Sequence, residues 1–562
     1  MPEQRLILEE ACPASQSLGW RIHQAAFAQE GAQAWLDFRI PYSVTGNIAL
    51  ARQKAQVIRA SLPVGTQPVY VLELGAGLGF FAWHFIQAWQ ELDALEGVRP
   101  LHYLLTDFSR STLEAVVANP WFAPLIEAGY LGVFWLDQPA AAYLDPVSNI
   151  RFATPQKLQA VIGNYYACTL PTTLLRMEKD ALHEKWVKTW LELPETWPAL
   201  NPAQAKALQD WVLALPVSQP LSDSAKLQFL SLCECFSPKM QQLALSWAEN
   251  LPFSLLSQIE ESVFYEPLAL ERLSKTDQAV LLNAGADLDE QTFPWTEGFG
   301  KRLLLLQDWL DPGALLLLSD KGYYVSSGVL PADLAEPSFH GNTWAYPLHL
   351  DLLSDWLCFQ GWKTAHTPYP FDPLQTLVAA WQPAFAEDAY AWQTAFQTNF
   401  VENNANLDAA RLVRAAQDYQ TQEDDQMAVG FYQKALRYRP GEPRILHELA
   451  SCLIRLGAFQ LAEETLAQPC IDLYTQFDFD YQRGQIAFFL GKPAEAIAAF
   501  QQSLKLQGEY ASVYYSLALS YLAQAAEAEA ADALHRCLAL EPDHRSAKQL
   551  LQRLQSLSEP LS

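Results

Sequence analysis

Residues 69 to 79, Val-Tyr-Val-Leu-Glu-Leu-Gly-Ala-Gly-Leu-Gly, form an apolar run that holds the acid Glu73 and ends in glycines at 75, 77 and 79. Phe80 to Leu92 follows directly, with Phe81, His84, Phe85, Ala88 and Trp89 on one face, which predicts a helix. A strand, a glycine turn and a helix in that order bring bare backbone against a cofactor. The spacing is Gly-x-Gly-x-Gly, whereas the dinucleotide fingerprint is Gly-x-Gly-x-x-Gly; no Lys-Ser or Lys-Thr follows, so a phosphate-cradling loop is also excluded. Two later apolar runs end in acids, Leu101 to Asp107 and Gly132 to Leu136 with Asp137 and Gln138 after it. A carboxylate at Asp107 can accept from both hydroxyls of a ribose, and one at Asp137 suits an adenine amino group. Glycine loop and acids together predict a nucleoside-holding cleft at the carboxyl edge of a sheet.

That cleft needs a parallel sheet to build it. Val69 to Leu74, Leu101 to Thr106, Gly132 to Leu136, Ala160 to Gly163 and Ala314 to Ser319 are the strand candidates, alternating with amphipathic segments. The pattern predicts an α/β, Rossmann-like domain over residues 1–400. From Asn164 to Gly313 runs a stretch far longer than the roughly 30 residues of one βα unit. Trp186, Trp190, Trp197, Trp211 and Trp247 fall there on helix-like spacings, so a helical insertion is expected over about 180–260, with the tryptophans as packing residues.

The glycine loop resembles motif I of the class I methyltransferases, which implies S-adenosyl-L-methionine as cofactor. On that resemblance Glu73, Gly75, Ala76, Gly77, Gly79, Asp107, Asp137 and Gln138 are the expected cofactor-binding residues. A narrower resemblance, over roughly residues 40 to 365, is to the MidA-type family, which includes mitochondrial enzymes that methylate arginine in a respiratory-complex subunit. It rests on Glu73 to Gly79, Tyr103 to Ser109, Asn164 to Pro171 and Asp320-Lys321-Gly322-Tyr323, in that order. The family's fourth motif is Asn-Glu-x-x-Asp-Ala-Leu-Pro, whereas this chain has Tyr165 and Cys168 in place of the two acids. A guanidinium target calls for carboxylates that this segment does not supply. Asn164 and Tyr165, at the end of the fourth strand, are expected to face the transferred methyl group as the catalytic pair. Cys168 has no histidine near it in sequence and reads as a packing thiol, and His340 as a turn residue.

The last third of the chain repeats. Four windows beginning at Ala409, Pro443, Phe477 and Ala511 each start 34 residues after the last. Position 20 is Ala428, Ala462, Ala496 and Ala530; position 24 is Tyr432, Leu466, Phe500 and Leu534. Small residues where two helices cross, with a large apolar residue one turn later, resemble the tetratricopeptide (TPR) family. The expectation for 401–562 is an all-α solenoid of four repeats, closed by a capping helix from His544 to Leu557. Such an array implies a protein or peptide partner.

Composition bounds the rest. A formal net charge of −26 argues against a nucleic-acid backbone or an anionic membrane as partner. The eight cysteines include no Cys-x-x-Cys pair, so no metal site is expected. The first residues carry no basic region followed by an apolar run, and a cytoplasmic location is expected. Three functional readings follow: a methyltransferase acting on a protein or peptide recruited by the repeats, a methyltransferase-fold scaffold without catalysis, and a small-molecule methyltransferase.

Overall fold

The structure, a computed structural model, describes residues 5–558 apart from 41, 66, 137–142, 145–156, 180, 287, 289–290, 325–335, 341, 369–373 and 384–389. Asp137 and Gln138 therefore lie outside the described residues. The chain divides into two compact units, Met1–Asn404 and Ala405–Ser562. Among the described residues no helix is long and apolar enough to cross a membrane.

The first unit is organised by an eight-stranded sheet: β1 (Val69–Leu74), β2 (Leu101–Asp107), β3 (Leu131–Leu136), β4 (Tyr143–Leu144), β5 (Leu158–Asn164), β6 (Leu310–Asp320), β7 (Trp362–His366) and β8 (Gln375–Trp381). Their spatial order is β7-β8-β6-β5-β1-β2-β3-β4. Strands β6, β5, β1, β2 and β3 run parallel; β8 is antiparallel to both its neighbours. This is the α/β, Rossmann-like class that the sequence predicts. Val71, Leu72, Leu315, Leu316 and Leu317 are all essentially inaccessible, because a parallel sheet is covered on both faces. The chain moves outward from β1 to β3 and returns to start β5 on the other side of β1. The β1/β5 boundary is thus a switch point, and a crevice opens beyond the carboxyl ends of the strands there. Helix α1 (Leu18–Leu36) forms part of its wall, while α2 (Ile48–Ala60) packs on α3 (Phe80–Glu96), the helix that follows β1.

The insertion is only partly helical. Three helices, Pro202–Leu213, Asp223–Leu232 and Pro238–Gln258, are bracketed by strands Ala181–Glu192 and Ile259–Pro267, which pair with each other. Trp186 and Trp190 thus sit on a strand and not on a helix. Their spacing of four is even, so it serves one face of a strand as well as one face of a helix. Trp197, Trp211 and Trp247 do converge on helices and their flanks, around the fully buried Phe229. These strands join Arg5–Pro13, Thr173–Glu178 and Thr292–Trp295 in a second, five-stranded sheet.

Asn342 is spliced into the last insertion helix where Pro252 interrupts it. Its Oδ1 accepts from Leu256 N at 3.1 Å, and its Nδ2 donates to Pro252 O at 2.8 Å and Ser218 Oγ at 3.1 Å. One fully buried amide thereby satisfies both backbone groups that would otherwise bond each other. Asn342→Ala leaves Leu256 N without its acceptor, while Pro252 O keeps Ser218 N and Ser218 Oγ keeps Glu30, and one orphaned buried donor costs about 1–3 kcal/mol. A loss of stability of that order, read as a lowered urea midpoint at unchanged slope, is expected.

In the second unit the 34-residue period becomes helical hairpins from Ala405–Thr421 through Arg545–Ser558. Ala428, Ala462, Ala496 and Ala530 are all fully buried. The close approach that the small residues permit is literal at Gly484, where a Cβ would stand 2.4 Å from the Phe500 ring. Position 15 of every window is left-handed: Glu423 (φ 60°), Gly457 (73°), Gly491 (76°) and Ala525 (58°). A left-handed L-residue costs about 1–2 kcal/mol, so the two non-glycine copies are strained. Ala525→Gly is expected to raise stability by several tenths of a kcal/mol or more, measured by denaturant unfolding.

Candidate functional site

Gly75, Gly77 and Gly79, with φ of 66°, 54° and 76°, turn the chain from β1 into α3 through the left-handed region. Only glycine adopts such a run without strain. Three contacts fix the loop: Ala76 N donates to Thr106 O at 2.9 Å, Gly79 N to Ala76 O at 3.1 Å, and Gly77 N to Asp107 Oδ2 at 2.9 Å. The other Asp107 oxygen accepts from Ser109 N at 2.8 Å. Burial lifts the Asp107 pKa to about 6, against the pull of these backbone donors. Two aromatic rings close over the loop. A Cβ at Gly75 would meet Tyr166 at 2.5 Å, and one at Gly77 would meet Trp35 at 2.4 Å.

Beyond the loop lies a cleft in the switch-point crevice. Phe27, Gly31 and Trp35 of α1 form one wall. That helix breaks at Gly31, which has φ 47° and ψ −129°, so its last turn swings over Gly77. Gly75, Asp107, Phe108, Ser109 and Thr112 line the β1/β2 side. Tyr165, Tyr166, Cys168, Thr169, Lys321 and the Thr343–Ala345 hairpin line the β5/β6 side. His23 joins the α1 wall to the β5/β6 side from behind. Its Nε2 donates to Thr169 O at 2.9 Å and its Nδ1 accepts from Trp344 N at 3.0 Å, which sets the tautomer. Burial lowers the His23 pKa to about 4, so the ring stays neutral.

Beneath the loop runs a buried polar chain. Lys54 Nζ, from α2, donates to Asn164 Oδ1 at 2.6 Å and to Leu317 O at 3.1 Å. Asn164 Nδ2 reaches Glu73 Oε1 at 3.5 Å, and Tyr103 Oη donates to Glu73 Oε2 at 2.9 Å. Burial drives Lys54 and Glu73 toward their neutral forms, and each partly restores the charge of the other. The chain ties β1, β2, β5 and β6 together under the bend.

The expected site residues therefore separate. Gly75 and Asp107 line the cleft; Ala76, Gly77 and Gly79 shape the bend behind them. Glu73 is buried under the loop and acts on it from below. Tyr165 lines the cleft from a left-handed backbone (φ 49°), its N donating to Ser319 O. Asn164 is not among the cleft-lining residues; its amide is held between Lys54 and Glu73. Cys168 is buried, and burial together with neighbouring Asp320 pushes its thiol well above the usual range, in keeping with a packing role. Sequence reasoning missed Trp35, Lys54, His23 and Trp344. Tyr166 and Lys321 stood inside quoted motifs without being singled out.

Comparison with known proteins adds the following. Residues 481–510 match the tetratricopeptide repeat family model. No curated protein matches the chain. Among solved structures, a Burkholderia thailandensis protein crystallised with S-adenosyl-homocysteine, described as a candidate methyl transferase, aligns at 16% identity over 68% of this chain and 91% of its own, with a TM-score of 0.38. MamA from Desulfovibrio magneticus RS-1 aligns at 16% identity over 27% of this chain and 85% of its own, TM-score 0.24. YrrB, a TPR protein with a peptide-binding site, aligns at 20% over 30% and 83%, TM-score 0.23. Residues 481–510 are a tetratricopeptide repeat, and the two units have the α/β and all-α classes expected of them.

Proposed function

We propose that the first unit binds S-adenosylmethionine in the switch-point cleft and transfers its methyl group, and that the repeats recruit the protein or peptide that receives it. The observation that carries this reading is the hydrogen bond from Gly77 N to Asp107 at the mouth of the cleft. It places a strand-end carboxylate against a glycine bend. A carboxylate has about four acceptor sites, so one that holds two backbone N–H groups can still take two ribose hydroxyls. The fit is good: bare backbone at Gly75, the acid of Asp107 and the ring of Phe108 offer three kinds of contact that an adenosyl group needs.

When bound, the cofactor supplies an electrophilic sulfonium methyl. The chain's own residues orient and desolvate. Asp107 fixes the nucleoside; Trp35 and Tyr166 cover the bend and keep water from it; Tyr165 forms the wall on the acceptor side. Alignment of nucleophile and leaving group can supply on the order of 7–11 kcal/mol without any acid or base. Asn164 positions and does not touch the acceptor, because Lys54 holds its amide oxygen. The test is incubation of the full-length chain with methyl-labelled S-adenosylmethionine and cell fractions. Transfer of label to protein is expected; cofactor binding without any transfer would leave a scaffold.

A further inference from the structure

The wall that α1 gives the cleft is not one rigid rod. Gly31, in a backbone conformation that only glycine adopts without strain, breaks the helix into a stem over 18–30 and a final turn. Phe38, at φ 57°, is a second left-handed position, so residues 32–37 lie between two swivels. Gly31, Trp35 and Ile40 of this segment line the cleft, whereas Gln33, Asp37, Phe38 and Arg39 stand exposed on its outer side. Internal hydrogen bonds make the segment a unit: Gln33 Nε2 donates to Asp37 Oδ1 at 2.6 Å, and Ile40 N to Ala34 O at 3.2 Å. Trp35 and Arg39 hold it down. The Trp35 ring lies on the Gly77 backbone, backed by Tyr42, which stacks on Phe80 of α3 at 4.2 Å. Arg39 Nη1 donates across the Gly31 break to Glu30 Oε2 at 2.7 Å. The other Glu30 oxygen accepts from Ser218 Oγ of the insertion, which fixes the carboxylate as a stationary catch.

From this arrangement, and resting on the methyltransferase reading above, we infer that residues 32–40 are a hinged flap over the cofactor cleft, swinging at Gly31 and latched by the Arg39–Glu30 pair. A nucleoside seated on Gly75 and Asp107 is walled in by this segment. Lifting the flap widens the cleft and leaves the sheet that carries the acid undisturbed. Catch and bolt differ in the way such a device needs. Glu30 is nearly buried, at 6% exposure, and stays with the stem; Arg39 is 39% exposed, and an ion pair so open to water is weak enough to break and re-form. Closure keeps water from the bend, and opening sets the rate at which cofactor enters and product leaves. Because exchange in both directions passes through the open flap, weakening the latch speeds entry and exit by the same factor and leaves their ratio, the affinity, unchanged.

The probe is S-adenosylhomocysteine, mixed with the full-length chain in a stopped-flow instrument. Arg39→Ala is expected to raise its association and dissociation rate constants together, each at least threefold, with Kd held within twofold. Arg39→Lys keeps a cation for Glu30 and should return both rates toward those of the natural chain. Independently of any variant, backbone amides over 32–40 are expected to exchange with deuterium faster than those of the stem, and at least tenfold more slowly once S-adenosylhomocysteine saturates the site. Unchanged rates in Arg39→Ala, a change in dissociation alone with a matching loss of affinity, or exchange over 32–40 that ignores the ligand overturns the flap alone. Failure of S-adenosylhomocysteine to bind the natural chain overturns the methyltransferase reading, and this inference with it.

Discussion

Lys54→Met is expected to destabilise the first unit by about 3–5 kcal/mol, the cost of leaving a buried charge without its partner. Lys54 is fully buried and is the link between Asn164, the carbonyl of Leu317 and, through Asn164, Glu73. Methionine keeps the volume of the stem and removes the cation. Glu73 then retains Tyr103 as a donor but loses the nearby positive charge that opposes its burial. Adding Glu73→Gln to Lys54→Met should recover part of the loss, since the double variant buries no net charge. Urea unfolding followed by tryptophan fluorescence measures both. A pair of single losses that simply add would show that the two side chains do not act together.

Asp107→Asn is expected to weaken S-adenosylhomocysteine binding on the order of a hundredfold or more. A hydrogen bond to a charged group is worth about 1.5–3 kcal/mol, and two ribose hydroxyls depend on this one. The same carboxylate gives binding a pH dependence of definite sign. Burial holds the Asp107 pKa up at about 6 in the free protein, and the bound form requires the ion. Affinity is therefore full above pH 7 and falls as the pH drops through about 6, approaching tenfold per unit below it. In Asp107→Asn that slope disappears. Isothermal titration between pH 5 and 8 reads both effects, and a wild-type slope that persists in the variant would assign the titration elsewhere.

How far the sequence alone leads depends on the range of the interactions. The glycine bend is legible because its cause is local: three left-handed positions in five residues, next to a strand whose buried faces need Val and Leu. The repeats are legible because the same local geometry recurs, even where Glu423 and Ala525 stand at the left-handed position that glycine fills elsewhere. Asn164 shows the limit. Its motif placed it at the strand end correctly, but its role is set by Lys54, 110 positions earlier. His23 is invisible for the same reason, since both its partners, Thr169 and Trp344, are far along the chain. Trp186 and Trp190 misled because a spacing of four suits strand and helix alike.

The account turns on whether the bend at Gly75–Gly79 and Asp107 together hold an adenosyl group. Calorimetric titration of the full-length chain with S-adenosylhomocysteine at pH 8, beside Asp107→Ala, asks this directly. One site per chain is expected in the natural protein and no measurable heat in the variant. An unaltered chain that takes up none, or a variant that binds as well as its parent, would contradict it.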